Sequence, residues 1–283
     1  MRIYLMTDLE GVAGVLNFQD WCLPESRYFD LAKELLTSEV NAAVEGFLAA
    51  GAKEILVVDG HGAGGINPRL LHKRVELMRG MGMGWPFLLD DGYDAVAWVG
   101  QHAKAGTEYA HLAHTQSLRY LDLSVNDVSI GEFGQLALCA GELDAPAIFF
   151  SGDSAGCLEA QRLTPGIETV SVKRGTQSAG GDDLDADQYM LHNSGAIHRH
   201  PERARELIRE GAERALQAFG SRKPHVSPLL IPPYRRVAIF RGDATHPRTI
   251  SVETHPDSLI DLMNMPFHPA PLPSDTPDGG SSA

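Results

Sequence analysis

Four runs of consecutive apolar residues, separated by stretches with helical periodicity, constrain the fold of this chain more than any other feature. The runs span residues 2–8, 54–60, 94–100 and 146–153, and a weaker run spans residues 168–173. Consecutive rather than alternating apolar residues are typical of strands buried on both faces, as in parallel sheets covered by helices. Helical periodicity covers residues 38–52 and 131–143, between the runs. This alternation predicts an α/β fold with a mostly parallel sheet flanked by helices.

The C-terminal third has a different pattern. A long amphipathic helix is predicted over residues 201–219, with proline at its start and glycine after its end. Two strands and a short helix are predicted next, at residues 235–241, 248–253 and 255–264. The last residues are rich in Pro, Gly, Ser and Asp, a composition typical of disorder. We therefore predict an α/β domain over residues 1–220, a smaller C-terminal α+β lobe over 221–268 and a disordered tail over 269–283.

Charge and composition exclude several classes of protein. The formal net charge of −13 argues against a nucleic-acid partner, because such binding depends on Lys and Arg neutralising phosphates. No apolar run reaches the roughly 18 residues of a membrane-spanning helix, and no signal-peptide pattern precedes the first strand. We therefore expect a cytoplasmic protein without a membrane partner. The three cysteines form no C-x-x-C pair, so we expect reduced thiols, with Cys139 buried in a helix.

Polar side chains of one chemical type follow the first three predicted strands. Asp8 and Glu10 follow the first strand, Asp59 and His61 the second, and His102 the third. The carboxyl ends of parallel strands meet at one edge of the sheet, where ligand sites form. Carboxylates and imidazoles are the ligands that zinc and related divalent metals prefer. The pattern therefore predicts a metal site at this edge, and the two oxygens of Asp8 could bridge two ions.

Glu132 is a further candidate ligand, because it lies in the first turn of the predicted helix over residues 131–143, where the helix dipole favours a carboxylate. Each of these residues also has a plain structural alternative. Asp8 and Asp59 are suited to capping turns, and single histidines in loops are usually surface residues. The residues alone leave this alternative open.

Two further histidines, His111 and His114, follow the third strand in the segment HLAHTQSL. Either could reach the same edge of the sheet. A histidine that does not bind the metal but lies beside it is suited to proton transfer. We expect His111 to be a surface residue.

Five segments, taken together, resemble the D-aminopeptidase family of zinc-dependent metallopeptidases (family M55, the DppA-like enzymes). They are MRIYLMTDLEGVAGV, VVDGHG, VGQHAKAGT, HLAHTQS and NDVSIGEFGQLALCAGELDAPAIFFSGD. Their order and spacing match the family over roughly residues 1–175, and VKRGTQSAG fits the Val-Lys segment of the family. The C-terminal third diverges from it.

The resemblance implies a function and a complete site within the predicted domain 1–220. It implies two zinc ions per subunit with Asp8 shared between them, and His114 as the catalytic histidine. The implied metal ligands are Asp8, Glu10, His61, His102 and Glu132. The implied activity is release of N-terminal D-amino acids from short peptides or amino-acid amides. The resemblance also implies a ring-shaped homodecamer.

Three functional hypotheses follow from these patterns. In the first, a hydroxide that bridges the two metal ions attacks the peptide carbonyl, and His114 assists by proton transfer or oxyanion stabilisation. In the second, the segment DLEGV belongs to a haloacid-dehalogenase-type, Mg-dependent phosphatase with Asp8 as the nucleophile, although this leaves His61 and His102 without a task. In the third, the chain is a non-catalytic metal-binding homologue.

Overall fold

The computed structural model describes residues 1–80, 84–221 and 230–272. In chain order, the strands are β1 (Arg2–Thr7), β2 (Glu54–Asp59), β3 (Glu76–Met78), β4 (Ala95–Gln101), β5 (Tyr120–Val125), β6 (Val128–Ser129), β7 (Ala147–Asp153), β8 (Glu168–Gly175), β9 (Ala196–His198), β10 (Tyr234–Phe240), β11 (Thr249–His255) and β12 (Ala270–Pro271). The helices are α1 (Phe18–Trp21), α2 (Phe29–Ala49), α3 (Glu132–Glu142), α4 (Ser154–Leu163), α5 (Ala186–His192), α6 (Pro201–Ser221) and α7 (Leu259–Asn264).

The larger sheet has seven strands in the order β3-β2-β1-β4-β7-β8-β9. Every neighbouring pair is parallel except β8 and β9. All seven residues of β4 and of β7 are buried, as expected for central strands covered on both faces. The prediction of a mostly parallel sheet flanked by helices is confirmed, and each of the five predicted strands in residues 1–175 is present.

Alternate residues of the central strands supply two separate apolar cores. Ile3 and Leu5 of β1 point to the face that α2 and α6 cover. Tyr4 and Met6 point to the opposite face, which α3, α7 and part of the second sheet cover. Side chains on successive residues of a strand point to opposite faces, so one apolar run serves both cores.

The second sheet is antiparallel and has five strands in the order β12-β11-β10-β5-β6. It joins residues 120–129 to residues 234–271, on both sides of the division predicted at residue 220. That division stays a prediction. Within the predicted tail, Ala270 and Pro271 pair with β11, whereas residues 273–283 lie outside the described residues.

Helix α2 begins at Phe29, nine residues before the predicted start at residue 38. The first residue of the predicted helix, Ser38, therefore lies within the observed helix. In the structure, the Ser38 hydroxyl donates to the Glu34 carbonyl at 2.7 Å, and the Thr37 hydroxyl donates to the Lys33 carbonyl at 2.7 Å. Both side chains therefore bond back to the preceding turn, which is how Ser and Thr are tolerated within a helix.

No helix in the described ranges combines the length and the apolar character needed to cross a membrane.

Candidate metal centre

The predicted site residues converge at the carboxyl ends of β1, β2 and β4, around a cavity of about 670 Å³. Asp8 and His102 follow β1 and β4 directly, and His61 lies two residues beyond β2. Glu132 is the first residue of α3, as predicted. The structure thus brings together residues that are up to 124 positions apart, counting from Asp8 to Glu132.

Asp8, Glu10 and His61 form the first of two groups able to hold a metal ion. The His61 Nδ1 atom lies 3.4 Å from Asp8 Oδ1 and 3.2 Å from Glu10 Oε2. All three residues are buried. Gly11 allows the loop to pass close to the end of β4, since a Cβ atom at this position would lie 2.1 Å from the carbonyl oxygen of Gln101.

His102, His114 and Glu132 form the second group. Glu132 Oε1 lies 3.7 Å from the Nε2 atom of His102 and 3.7 Å from that of His114. The two imidazole rings are stacked, with centroids 4.1 Å apart. His102 is buried, whereas His114 and Glu132 are partly exposed to the cavity.

Asp8 links the two groups through its two carboxylate oxygens. Its Oδ1 faces His61, and its Oδ2 lies 3.2 Å from His102 Nε2. The Gln101 side-chain amide donates to Oδ2 at 3.0 Å, and the Leu9 backbone N–H donates to Oδ1 at 2.9 Å. These two donors fix the carboxylate plane so that one oxygen is presented to each group.

Each of the three imidazoles is oriented by a backbone carbonyl. His61 Nε2 donates to Cys22 O at 2.8 Å. His102 Nδ1 donates to Ala103 O at 2.8 Å, and His114 Nδ1 donates to Leu112 O at 2.9 Å. A ring N–H held in this way leaves the other nitrogen directed at the carboxylates, which is the usual arrangement of histidine ligands in metal sites.

The carboxylates and imidazoles of the site shift one another's pKa values. Burial opposes ionisation of Asp8, but the hydrogen bonds of His102 and His61 outweigh it and lower the pKa of this carboxyl well below its ordinary value. Burial disfavours the charged imidazoles, yet the neighbouring carboxylates raise the pKa of His61 to about 11 and that of His102 to about 10. Protons on these rings thus offset the buried negative charge.

A divalent cation would take the place of those protons, because metal binding to histidine releases them. The Nε2 atom of His102 is buried, 3.2 Å from Asp8 Oδ2 and 3.7 Å from Glu132 Oε1. A buried imidazole nitrogen beside two carboxylates is suited to bind a divalent metal ion. The residues present therefore fit a metal ion.

Asp59 does not join either group. Its two carboxylate oxygens accept from the backbone N–H groups of Gly65 at 2.8 Å and Ile66 at 3.2 Å. Asp59 therefore caps the loop after β2, which is the structural alternative considered for it above. Arg79 closes the same loop from outside by donating to the carbonyls of Asp59, His61 and Gly62 at 2.6–3.0 Å.

Lys173 contacts the loop that carries Asp8 and Glu10, and it is not among the predicted site residues. It is buried in β8, where its Nζ donates to the carbonyl of Glu10 and, at 3.4 Å, to that of Val15. Burial lowers the pKa of Lys173 to about 8, although Asp153 on the neighbouring strand β7 favours the charged form. The sequence signals for this residue are its position in a predicted strand and the match of VKRGTQSAG to the Val-Lys segment of the family.

The prediction that His111 is a surface residue is wrong. Its side chain is buried, and its Nε2 lies 3.1 Å from Leu16 O and 3.2 Å from Ser194 O. Burial, with a smaller contribution from the charge of Lys173, lowers the pKa of His111 to about 2. His111 is thus a neutral structural residue that joins the loop between β1 and α1 to the loop after α5. By contrast, Cys139 is buried in α3, as predicted.

Comparison with known proteins shows the family of the chain. The model of the D-aminopeptidase family, peptidase family M55, matches residues 1–239. The D-aminopeptidase of Bacillus subtilis (strain 168) is 27% identical over 247 residues, which cover 84% of this chain and 80% of that protein. The structure of the Zn-dependent D-aminopeptidase DppA from Bacillus subtilis, a self-compartmentalizing protease, shares the fold with a TM-score of 0.77 and 21% identity, over 93% of this chain and 94% of that one. Since the family model covers most of its length, the chain belongs to the D-aminopeptidase family of peptidases.

Proposed function

We propose that this protein is a dinuclear zinc aminopeptidase that releases N-terminal D-amino acids from short peptides or amino-acid amides. One observation carries the proposal. Two groups of three ligand-type side chains lie at one edge of the sheet, and within each group the ligand atoms are within 4.8 Å of one another. Asp8 faces both groups, so a single carboxylate is placed to be shared between two ions.

The proposed ligands of the two ions are Asp8, Glu10, His61, His102 and Glu132. When bound, a zinc pair supplies a nucleophile from water at neutral pH and polarises the scissile carbonyl. The protein residues hold the ligands in place, since Gln101 fixes Asp8 and the Gln116 backbone N–H donates to Glu132 Oε1 at 2.7 Å. The carboxylates of the site are also suited to receive the amino group of a peptide.

His114 is the proposed proton donor to the leaving amine. Its ring lines the cavity and its Nδ1–H is committed to Leu112 O, so its Nε2, which lies 3.7 Å from Glu132 Oε1, is the nitrogen left for proton transfer. Stacking on His102 and an edge contact with Phe18, with centroids 5.5 Å apart, hold the ring in this orientation. A general acid placed in this way typically contributes about 10²–10⁴-fold to the rate.

The geometry also allows His114 to act as a third ligand beside His102 and Glu132, so its role needs a direct test. We expect His114→Ala to retain two zinc ions per chain and to lose about 10²–10⁴-fold in kcat. Elemental analysis and kinetics on the same preparation measure both quantities. A variant that loses one zinc ion would make His114 a ligand, and a zinc-replete variant with full activity would remove it from the mechanism.

The main experiment combines metal analysis with a substrate panel. We expect two zinc ions per chain and faster hydrolysis of D-aminoacyl amides than of their L-enantiomers. An Asp8→Asn variant should lose zinc, because both groups depend on this carboxylate. Phosphatase activity with a phosphorylated Asp8 would instead support the phosphatase hypothesis, and bound metal without any hydrolysis would support the non-catalytic one.

We further propose that the protein is cytoplasmic and assembles into a homodecamer. The structural neighbour from Bacillus subtilis is a self-compartmentalizing protease, which supports an assembly that encloses its active sites. Sedimentation-velocity centrifugation of the zinc-loaded protein tests this proposal, and a monomer or dimer at micromolar concentration would contradict it.

A further inference from the structure

The cavity that holds the two metal groups has an extensive apolar lining. It includes Phe18, Leu23, Trp85, Phe87, Trp98 and Leu136. Among the described residues that line it, the charged or titratable side chains are those of the two metal groups, apart from the Cys22 thiol. Away from the metal groups, the described lining therefore offers no opposite charge to a charged substrate side chain, and burial of a charge without such a partner is costly.

Trp85 and Phe87 form one continuous part of this lining, which we call the aromatic wall. Their ring centroids are 4.5 Å apart. Phe87 has a φ of 55°, and the next residue, Leu88, has a φ of 66°. Left-handed backbone is unfavourable for bulky residues and persists where the surrounding structure holds it, often at functional sites.

The backbone of the aromatic wall is held from two sides. On one side, the Tyr4 hydroxyl donates to Phe87 O at 3.0 Å. On the other, Asn264 at the end of α7 accepts from the Trp85 N–H at 2.9 Å and donates to Trp85 O at 3.0 Å. These contacts tie the wall to the central sheet and to the C-terminal residues, so the rings are positioned before a ligand arrives.

The part of a peptide that enters this cavity follows from the reaction. In an aminopeptidase the N-terminal residue is the end of the chain, and the rest of the peptide extends away from the metal centre. A cavity of about 670 Å³ is large enough to enclose one residue with a bulky side chain. The side chain beside the aromatic wall is then that of the residue to be released.

We propose that the aromatic wall is a specificity site that selects substrates with a large apolar N-terminal side chain, such as leucine or phenylalanine, over alanine and over charged residues. This inference rests on the proposed aminopeptidase function. A hydrophobic pocket discriminates by roughly 10–200-fold for each methylene group that it encloses. We therefore expect kcat/KM for D-leucine amide to exceed that for D-alanine amide by about tenfold or more.

The test uses zinc-loaded protein and amides of D-alanine, D-leucine, D-phenylalanine and D-lysine, so that the leaving group is always ammonia. In Trp85→Ala, the ratio of kcat/KM between D-leucine amide and D-alanine amide should fall to within about threefold of unity, chiefly through KM for the larger substrate. Trp85→Phe should keep most of the preference, since it retains an aromatic ring. Leu88→Ala is the matched control, because Leu88 lies in the same segment, is 46% exposed and does not line the cavity.

The outcomes separate this inference from the function on which it rests. If the wild-type protein hydrolyses D-alanine amide as fast as D-leucine amide, or D-lysine amide fastest, the specificity site is refuted while the aminopeptidase stands. The same holds if Trp85→Ala slows all four amides by one common factor. If zinc-loaded protein hydrolyses none of the D- or L-amides, the proposed function itself fails. Should Trp85→Ala not fold, the wild-type panel and Trp85→Phe still decide the question.

Discussion

Replacement of Lys173 by methionine is the most informative single change outside the proposed ligands. Methionine fills a similar volume but removes the ammonium group that donates to the carbonyls of Glu10 and Val15. Both carbonyls belong to the loop that carries Asp8 and Glu10 into the site. The change therefore tests whether this loop depends on a buried cation.

The structure sets the size of the expected effect. Each buried carbonyl left without a donor costs about 1–3 kcal/mol, and loss of the cation also removes one positive charge that favours ionisation of the buried carboxyl of Asp153. The relief from burying an ammonium group offsets part of this. We expect a net loss of about 3 kcal/mol, or roughly 6–12 °C in Tm for a chain of this size. Zinc affinity should fall by about 10–100-fold, as when outer contacts of metal ligands are removed.

Two measurements on purified Lys173→Met test this expectation: thermal unfolding with and without zinc, and zinc affinity by competition with a chelating dye. Arg174→Met is the matched control, because Arg174 is the next residue of β8, carries the same charge and is exposed. The control should resemble the wild type in both measurements. If Lys173→Met binds zinc with wild-type affinity and melts within about 2 °C of the wild type, the two carbonyl contacts do not position Glu10 and the energetic reasoning is wrong.

Two further predictions concern carboxyls near the site. Burial raises the pKa of Glu39 to about 8, so its contribution to stability is complete below about pH 4.5 and is lost as pH rises towards 8. Glu39→Gln should therefore raise Tm more at pH 8 than at pH 5, and an equal effect at both values, measured by calorimetry, would contradict this sign. Asp59→Asn should retain two zinc ions per chain, because the Asp59 carboxylate accepts hydrogen bonds from the backbone N–H groups of Gly65 and Ile66 and belongs to neither metal group. Loss of zinc in this variant would add Asp59 to the metal site.

The sequence was sufficient to predict the parallel sheet because its signals are local. Continuous apolar runs report burial on both faces, and the residues after each run then fall at one edge whatever the strand order. This geometry is why Asp8, His61 and His102 could be placed together. The pairing of β5 with β10 was beyond such reasoning, since it joins strands more than 100 residues apart and neither pattern specifies its partner.

The supporting residues of the site were missed for a related reason. Lysine is usually exposed, so a lysine in a predicted strand is expected at the surface. Its burial is explained by the carbonyls of Glu10 and Val15, which accept from its ammonium group and which the sequence does not place beside it. Trp85 and Phe87 lie in a loop without periodicity, and the contact of Trp85 with Asn264 spans 179 residues. His111 was misplaced because its environment comes from loops distant in sequence.

Asp8 and Asp59 show which physical feature separates a candidate metal ligand from a structural carboxylate when both follow the same sequence pattern. Asp59 is the last residue of β2 and pairs in register with Thr7, the last residue of β1, whereas Asp8 lies one residue beyond the end of β1. This position places the Asp8 carboxylate beside His61 and His102, whereas the Asp59 carboxylate accepts from backbone N–H groups of the loop that follows it. Both carboxylates accept hydrogen bonds, and each of their oxygens can accept more than one, so the capacity to accept does not distinguish Asp8 from Asp59. What distinguishes them is the neighbouring group: imidazole nitrogens without protons can share a cation with a carboxylate, and backbone N–H groups cannot.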